Sequence, residues 1–397
     1  MKIAWIGARG VPARGDLAGG IENYMEELGS RLVVRGHDLT VYCRSFYTKE
    51  NGFYRGMRLR KLPTFRTKHL EAFVHTLFSS MDACFKDFDV VQFHALGPSA
   101  FSWIPRFFLK KTVASVRGLD WKREKWGTFA TWYLRWCEYF AAKFPTRTSV
   151  VSPVLKTHFE AQYGIPVTFI PNGFRIPVFR EPDQIRDLGL KGDDYLLFVG
   201  RIVPEKGCHL LIDAFKDLKT DKKLVFAGEA SYTQSYSAGL KAMSKENVLF
   251  LGRVGGALLE ELYTNAYLFV LPSTIEGLSN ALLEAMSYGL CSLTSDIPEN
   301  KMIVQDVGVT FECGNRRDLK EKLQGLLDDG AEVAIRGTSA RAYVQENYSW
   351  DRIAALTERF YEEILGRSRI GVPVVTEGTT EAAPGSRCEV QGSPAYK

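Results

Sequence analysis

The chain has 397 residues, 45% of them hydrophobic and 24% charged, which is ordinary for a soluble globular protein and long enough for two domains. No uninterrupted apolar stretch approaches the ~20 residues that a transmembrane helix needs, and seven scattered cysteines favour reduced thiols and a cytoplasmic location. The formal net charge of +5 is uneven, because residues 1–172 are rich in lysine and arginine while the remainder is slightly acidic. An anionic partner is therefore expected for the first half, although no nucleic-acid-binding motif accompanies the charge.

The N-terminal residues predict a βαβ unit. A buried strand over 2–6 is followed by a glycine-containing loop over 7–20, an amphipathic helix over 21–35 and a second strand over 39–43. The loop glycines do not form the GxGxxG fingerprint, and the second strand ends in Arg44 where a ribose-binding acid would stand. The pattern therefore argues against a nicotinamide-dependent enzyme.

Basic residues dominate the segment 44–68, which contains a single acid. The sequence Asp87-Phe88-Asp89 has the DxD spacing that can hold a diphosphate through a divalent ion. It stands just before a strand over 90–94, at the edge opposite the expected ligand crevice, so we interpret it as a solvated turn and expect no metal site. His94 ends that strand at the ligand-facing edge.

The region after the next strand, 112–116, is unusual. Arg117 follows that strand, and residues 121–147 then combine four tryptophans with several lysines and arginines. Aromatic and basic side chains mixed on helices suit a membrane–water interface, although an aromatic core would give the same pattern. Both interpretations stay open at this point. Proline and glycine residues over 170–192 indicate a linker between domains.

The C-terminal half alternates strands with helices, which predicts a second parallel sheet covered on both faces. Its predicted strands are 195–199, 223–227, 247–251, 267–271 and 290–294. The first of them runs into a loop with two cations, Arg201 and Lys206. Another ends before Glu276, and a helix capped by Ser279 or Asn280 then begins. Carboxyl ends of parallel strands and helix N-termini bind phosphates, so these cations suit a diphosphate and the acids suit sugar hydroxyls.

The pair Arg201 and Lys206, followed by Glu276 and Glu284 with seven residues between them, resembles the family-4 retaining glycosyltransferases of the GT-B fold (group 1 type). The resemblance extends over nearly the whole chain, from residues 7–12 to residues 346–350. It implies an α/β protein with two Rossmann-like, doubly wound domains that face each other across a cleft. The implied parts are an acceptor domain over 1–172, a nucleotide-sugar-binding domain over 173–348, a helix over 349–367 that crosses back to the first domain, and a disordered tail over 368–397.

The resemblance also implies roles for individual residues. Those near the reaction would be Arg201, Lys206, Glu276 and Arg117. The donor would be held by Gly19, Gly20, Arg253, Val254, Ser279, Asn280, Ala281, Leu282 and Glu284. Glu22, Asn23 and His94 would lie on the acceptor side. The expected reaction is metal-independent hexosyl transfer from a nucleotide-sugar, with no cofactor, to a glycan or lipid-linked acceptor.

The chain departs from the family at Arg117, where a histidine is usual. Arginine is longer and permanently charged, so it could favour an acidic sugar or a phosphate, or indicate weakened catalysis. The competing hypothesis is a non-catalytic accessory protein that binds sugar-nucleotides. A sugar-nucleotide epimerase of the same fold would need an acid/base pair near the sugar C2 that is not evident. The basic first half further suggests an anionic membrane surface as partner, at the inner face of the cytoplasmic membrane.

Overall fold

The computed structural model describes residues 1–13, 19–65, 70–119, 121, 128–230 and 234–367. The predicted tail over 368–397 and part of the glycine loop therefore lie outside the described residues. Two compact units divide the described chain, one formed by 1–173 with 350–367 and the other by 174–349. Within the described residues, none of the helices has the length and apolar character to cross a membrane.

The strands form two sheets, one in each unit. In chain order they are β1 (Lys2–Ile6), β2 (Asp38–Arg44), β3 (Phe53–Tyr54), β4 (Met57–Leu62), β5 (Val90–His94), β6 (Lys111–Val116), β7 (Arg147–Val150), β8 (Val167–Phe169), β9 (Tyr195–Val199), β10 (Lys223–Ala227), β11 (Val248–Phe250), β12 (Leu268–Leu271), β13 (Ser292–Ser295) and β14 (Val309–Phe311). The first sheet has the order β3-β4-β2-β1-β5-β6-β7-β8 and the second β11-β10-β9-β12-β13-β14. All pairs are parallel except β3 with β4.

Helices cover these sheets. In chain order they are α1 (Gly20–Val34), α2 (Leu70–Cys84), α3 (Leu96–Ser99), α4 (Trp103–Phe107), α5 (Thr128–Lys143), α6 (Pro153–Tyr163), α7 (Gln184–Asp187), α8 (Cys208–Phe215), α9 (Gln234–Met243), α10 (Gly256–Asn265), α11 (Asn280–Ser287), α12 (Pro298–Val304), α13 (Arg316–Asp328), α14 (Gly330–Tyr348) and α15 (Trp350–Ile364). Residues alternate between two cores along β1. Ile3 and Trp5 pack with α1 and α15, whereas Ala4 and Ile6 pack with Ala83 of α2.

Each sheet has one point where the strand order changes direction, between β1 and β5 in the first unit and between β9 and β12 in the second. Ligands of open α/β sheets bind outside the carboxyl ends of the strands at such a switch point. The alternating strand pattern predicted this architecture correctly. The antiparallel hairpin of β3 with β4 was not predicted, because those residues form a short and charged segment.

The cysteines agree with the sequence-based expectation only in part. Cys43, Cys84, Cys137, Cys208 and Cys291 are free and buried. Burial raises the pKa of the Cys208 and Cys291 thiols to about 12, so both are inert thiols of the core. Cys313 is instead disulfide-bonded, so the expectation of reduced thiols is wrong at that residue.

Candidate functional site

The loops after β9 and β12 are locked together at the switch point of the second unit. A 3-10 turn over Pro204–Lys206 follows β9 and ends at Gly207, whose φ of 67° is left-handed. The carbonyl of Glu205 accepts hydrogen bonds from the amide (2.9 Å) and hydroxyl (3.3 Å) of Thr274. A Cβ on Gly207 would lie 2.1 Å from the carbonyl oxygen of Pro272. Only glycine allows this approach, so the two loops are held in direct contact.

The locked loops hold one cation against one carboxylate. Lys206 Nζ donates to Glu276 Oε1, and the two side chains are only 14% and 8% exposed. Arg201 lies after the end of β9 and is exposed, and it forms no ion pair with the described residues. The site therefore presents a fixed, neutralised pair beside a guanidinium that is accessible to a ligand.

Helix α11 begins four residues after Glu276. Its N-cap is Ser279, whose Oγ accepts a hydrogen bond from Leu282 N at 3.4 Å. Amides in the first turn of a helix lack intrahelical acceptors, and the helix dipole favours negative charge there. The Leu282 side chain is fully buried and its amide is already used by the cap, so the predicted ligand contacts of Asn280, Ala281 and Leu282 remain a prediction.

A chain of buried hydrogen bonds anchors the loop after β12. Ser295 Oγ donates to the Ser273 carbonyl, and Asn300 Nδ2 donates to Ser295 Oγ at 3.0 Å. All three side chains are buried. Sequence reasoning missed this anchor, because two serines and an asparagine at strand and loop positions have no distinctive spacing.

The ends of β10 and β11 approach the same edge. Gly228 N donates to the Gly252 carbonyl at 2.7 Å, and a Cβ on Gly228 would lie 1.7 Å from the Gly200 carbonyl oxygen. The exposed Arg253 and the half-buried Val254 follow directly. The edge thus gathers Arg201, Lys206, Arg253, Glu276 and the start of α11.

Glu284 lines a small cavity on α11. Tyr263 Oη donates to its Oε2 at 3.2 Å, and Arg175, Ile176 and Tyr288 also line the cavity. Burial raises the pKa of Glu284, and the hydrogen bond from Tyr263 and the charge of Arg175 oppose that shift. Tyr263 and Arg175 were not predicted, since both come from elements distant from Glu284 in sequence.

Aromatic side chains line the switch point of the first unit. His94 ends β5, is fully buried and lies edge-on to Trp5 (5.3 Å between ring centres) and to Tyr24 (5.8 Å). Its Nδ1 has no hydrogen-bond partner among the described residues. Burial and the nearby charge of Arg117 hold the pKa of His94 well below its usual value, so the imidazole is neutral at physiological pH.

Arg117 follows β6 and stacks on Tyr24, with its Cζ 3.4 Å from the ring centre. Its Nη1 donates to Asn172 Oδ1, while its Nε and Nη2 are buried without hydrogen-bond partners in the part of the chain that the structure describes. No carboxylate of the described residues forms an ion pair with it, and burial lowers the pKa of the guanidinium. Arg117 and His94 are thus neighbours around Tyr24, which sequence reasoning did not foresee.

The carboxylate of Glu22 fastens the start of α1 to the loop after β1. It accepts hydrogen bonds from the amides of Arg9 (3.1 Å) and Gly19 (3.0 Å) and is buried. Asn23 and Gly20 are exposed on the first turn of the helix. The acceptor-side role of Glu22 and Asn23 remains a prediction, and Glu22 has this backbone function in addition.

The basic segment 44–68 is partly neutralised. Three of its arginines form ion pairs with carboxylates outside the segment: Arg44 with Glu71, Arg55 with Glu26, and Arg60 with Asp82. The positive charge of these three side chains is therefore partly balanced within the first unit, and the anionic partner expected for this half of the chain remains a prediction.

The DxD residues lie at the amino-terminal edge of the first sheet. Asp87 forms an ion pair with Lys2 Nζ at 2.6 Å, and Asp89 accepts a hydrogen bond from Lys2 N at 2.7 Å. The described residues contain no cluster of three or more side chains suited to a metal ion. The interpretation of Asp87 and Asp89 as residues of a turn at the strand entrance agrees with this geometry.

Two sequence models of known families match the chain. Residues 18–176 match the model described as Glycosyltransferase Family 4, and residues 181–355 match the model described as Glycosyl transferases group 1. Together they cover most of the chain, and each lies almost entirely within one unit.

Curated relatives match over part of their length. Spore coat protein SA of Bacillus subtilis (strain 168) is 29% identical over 199 residues, covering 46% of this chain and 53% of the relative. The lipopolysaccharide 1,2-N-acetylglucosaminetransferase of Salmonella typhimurium is 30% identical over 239 residues, covering 54% and 61%. An N-acetylgalactosamine-N,N'-diacetylbacillosaminyl-diphospho-undecaprenol 4-alpha-N-acetylgalactosaminyltransferase of Campylobacter jejuni is 30% identical over 152 residues, covering 36% and 40%. The chain thus spans about half the length of the curated relatives it matches.

Solved structures are similar over nearly the whole chain. Sucrose-phosphate synthase from Thermosynechococcus elongatus has a TM-score of 0.78 at 19% identity, covering 92% of this chain and 100% of that one. Anabaena HepE in complex with UDP-glucose has a TM-score of 0.73 at 18% identity, covering 91% and 99%. At such identities the likeness concerns the fold, and it confirms the predicted GT-B class.

Proposed function

Because the chain belongs to the family-4, group 1 glycosyltransferases, we propose that it transfers a hexosyl group from a nucleotide-sugar to an acceptor hydroxyl, with retention at the anomeric carbon. The observation that carries this proposal is the locked pair of loops after β9 and β12. They bring Arg201, Lys206 and Glu276 to one sheet edge, beside the amino end of α11. HepE, which was solved with UDP and with UDP-glucose, supports a nucleotide-sugar as donor.

In this mechanism negative charge grows on the departing diphosphate. Arg201 and Lys206 would stabilise that charge, together with the first amides of α11 and the backbone of Gly19 and Gly20. Fixed donors aimed at developing charge lower a barrier because they need no reorganisation during the reaction. We propose that these groups replace a divalent metal ion.

The two glutamates would hold the sugars. Glu276 would accept hydrogen bonds from hydroxyls of the transferred sugar, since its contact with Lys206 fixes one of its oxygens. That contact suits an orienting group better than a nucleophile, and it favours attack by the acceptor on the face that the leaving phosphate departs from. Glu284, oriented by Tyr263, would accept hydrogen bonds from the ribose hydroxyls.

The acceptor is proposed from the relatives. Their names describe enzymes of capsular polysaccharide biosynthesis, of lipopolysaccharide and of undecaprenyl diphosphate-linked sugars. We propose a growing glycan on a polyisoprenyl diphosphate, reached from the cytoplasmic face of a membrane. The alternative of a non-catalytic accessory protein finds no support among these relatives.

The test begins with thermal-shift measurements against UDP-, GDP-, dTDP- and ADP-sugars, because a ligand of the folded state raises its stability by mass action. The preferred donor is then incubated with lipid-diphosphate acceptors, and release of the nucleoside diphosphate and the anomeric configuration of the product are measured. We expect retention, and activity that survives EDTA. Binding without release of the diphosphate would favour the accessory protein. A strict requirement for Mn²⁺ would contradict the metal-independent mechanism and would favour a metal site at Asp87 and Asp89.

A further inference from the structure

An unusual share of apolar surface is exposed on one part of the first unit. Helices α2, α4 and α5 and the turns that follow them carry the exposed side chains of Phe85, Phe107, Phe108, Leu109, Trp132 and Trp136, which we call the aromatic surface. Phe85, Phe107 and Leu109 are 77%, 81% and 92% exposed. Single exposed apolar residues are normal, but a contiguous set marks a surface that binds something.

The aromatic surface is continuous. The rings of Phe85 and Phe108 are 5.6 Å apart, and those of Phe107 and Phe108 are 5.9 Å apart. Arg106 Nη1 donates to the Phe144 carbonyl at 2.8 Å and so ties α4 to the end of α5. From there the rings of Phe144, Phe140, Trp136 and Trp132 follow one another at 4.7, 6.0 and 5.8 Å.

The turn after α4 is built to present its apolar side chains. Leu109 has a φ of 60°, a left-handed conformation that a leucine adopts only at a cost. Two hydrogen bonds hold it there, from Leu109 N to the Arg106 carbonyl (2.9 Å) and from Lys110 N to the Pro105 carbonyl (3.1 Å). These bonds end α4 in the way that a left-handed residue commonly ends a helix, and they leave the Leu109 side chain directed into solvent. The exposure of a leucine does not stabilise the protein in water, so together with its exposed neighbours it points to a function outside the folded core.

Cations surround the aromatic surface. Arg106, Lys110 and Lys111 belong to the segment 103–111, which contains no acid, and Lys86 and Lys143 flank it. None of these five side chains lies within ion-pair distance of a carboxylate of the described residues, although Asp82 and Asp87 are near enough to interact electrostatically with Lys86 and Lys110. Glu138 of α5 is buried and accepts hydrogen bonds from Trp121, His158 and Tyr163, so its charge does not reach this surface.

We propose that the aromatic surface docks on an anionic lipid bilayer, with Phe107, Phe108 and Leu109 entering the headgroup region. Aromatic side chains sit at the boundary of headgroups and acyl chains, and lysine and arginine stems reach back to lipid phosphates. A second copy of this chain is a poor occupant, because a symmetric interface would bring identical cations together. This proposal rests on the proposed function in one respect: access to a lipid-linked acceptor is the reason why the protein would bind a membrane.

The test is sedimentation of the purified full chain with vesicles of phosphatidylcholine, alone or with roughly 30% phosphatidylglycerol, which gives the surface a negative potential, without donor or acceptor. We expect binding to the anionic vesicles, released by a few hundred millimolar salt. The double variant Phe107→Ser/Leu109→Ser should bind at least 10-fold more weakly, and Lys110→Glu/Lys111→Glu should lower binding similarly. Every variant should keep the thermal shift given by the preferred nucleotide-sugar.

Two controls match these changes. Val34→Ser alters a side chain that is 87% exposed at the end of α1, which packs on the other face of the sheet. Arg58→Glu/Lys61→Glu reverses two positive charges, as Lys110→Glu/Lys111→Glu does, but in the segment 44–68. Both should bind vesicles like the wild type. The proposal is overturned by no binding to anionic vesicles, by an unchanged Phe107→Ser/Leu109→Ser variant, or by a dimer that this variant abolishes without any vesicle binding. Loss of transfer activity alone leaves vesicle binding intact and bears only on the proposed function.

Discussion

Each unit has a basic side chain beside the switch point of its sheet. The side chain in the second unit is paired with a carboxylate, whereas the one in the first unit is not. In the second unit Lys206 lies against Glu276, and the loops around the pair are fixed by Gly207 and Thr274. In the first unit Arg117 stacks on Tyr24 and donates a hydrogen bond to Asn172, while its other two nitrogens have no hydrogen-bond partner among the residues that the structure describes.

The difference indicates when each site is completed. A buried ion pair forms with the fold, so the diphosphate end of the second site is assembled before any ligand arrives. A buried guanidinium without a carboxylate destabilises the folded state, and an anionic ligand would relieve that cost. We therefore expect the paired cation to contribute to both stability and catalysis, and the unpaired cation to contribute to selectivity alone.

The largest effect is expected for Lys206→Ala. Turnover should fall by roughly 10²–10³-fold, the scale for loss of one preorganised donor at developing charge. The change also leaves Glu276 without its partner, so the free energy of unfolding should fall by roughly 3 kcal/mol. Denaturant unfolding and steady-state kinetics measure the two effects.

Two further variants separate these effects. Lys206→Ala/Glu276→Ala should recover much of the stability and none of the turnover. Arg201→Ala should lose turnover on the same scale at unchanged stability, because Arg201 is exposed. Lys301→Ala, which removes an exposed lysine paired with Asp296 in the same unit, is the control and should change neither. Wild-type turnover in Lys206→Ala would contradict the proposed site.

Gly207→Ala tests the lock between the loops without touching a charge. Its Cβ would collide with the Pro272 carbonyl, so the loops should separate and turnover should fall by about 10-fold or more, the scale of a small misplacement of reacting groups. Gly366→Ala is the control, because Gly366 has the same φ of 67° with open space around its Cβ position. It should show only the ~1–2 kcal/mol cost of a left-handed residue. Equal turnover in the two variants would mean that the lock is dispensable.

Arg117→Met tests the unpaired cation. Methionine keeps an apolar contact with Tyr24 and removes the buried charge, so the thermal midpoint should stay at or above that of the wild type. Transfer should lose a preference of about 10-fold for donors or acceptors that carry a carboxylate or phosphate, the scale of ~1.4 kcal/mol for one charge-assisted contact. A panel of neutral and acidic substrates measures this preference. A fall in stability like that of Lys206→Ala would show that Arg117 is structurally paired after all.

The smallest effect concerns pH. Because burial raises the pKa of Glu284, this carboxyl takes up a proton at a higher pH than an ordinary glutamate. Ribose hydroxyls donate to the ionised form, so donor affinity should fall a few-fold as the pH drops through the raised pKa. The stability of the protein without ligand should change with pH in the opposite direction. Glu284 contributes to that stability at low pH, and the contribution is lost as the pH rises through its folded-state pKa. Titration calorimetry at several pH values measures the affinity, and Glu284→Gln should remove the dependence.

The paired site was accessible from sequence because its residues directly follow strands. A strand that ends before Arg201 and Lys206, and another that ends before Glu276, must bring these side chains to one edge of a parallel sheet. The partners of Arg117 could not be predicted in this way. Tyr24 lies on a helix and Asn172 in a loop, and both are distant from Arg117 in sequence. The aromatic surface was anticipated only in part. Trp132 and Trp136 belong to the segment 121–147, for which the sequence left an interfacial interpretation open, and both are exposed. Residues 103–111 were missed, because they resemble core sequence until their exposure is known.

Glu22 and Glu26, in the first two turns of α1, also bear on how far the length of the preceding loop can change. Glu22 binds the amide of Gly19 and, one helical turn later, Glu26 binds the amide of Ala13 at 2.8 Å. Ala13 and Gly19, which flank residues 14–18, are therefore both anchored to the same helix. The entropy of closing a loop grows only slowly with its length. Insertions and deletions between these anchors should accordingly be tolerated, which makes this segment a natural place for homologues to diverge and for an engineer to graft a new sequence.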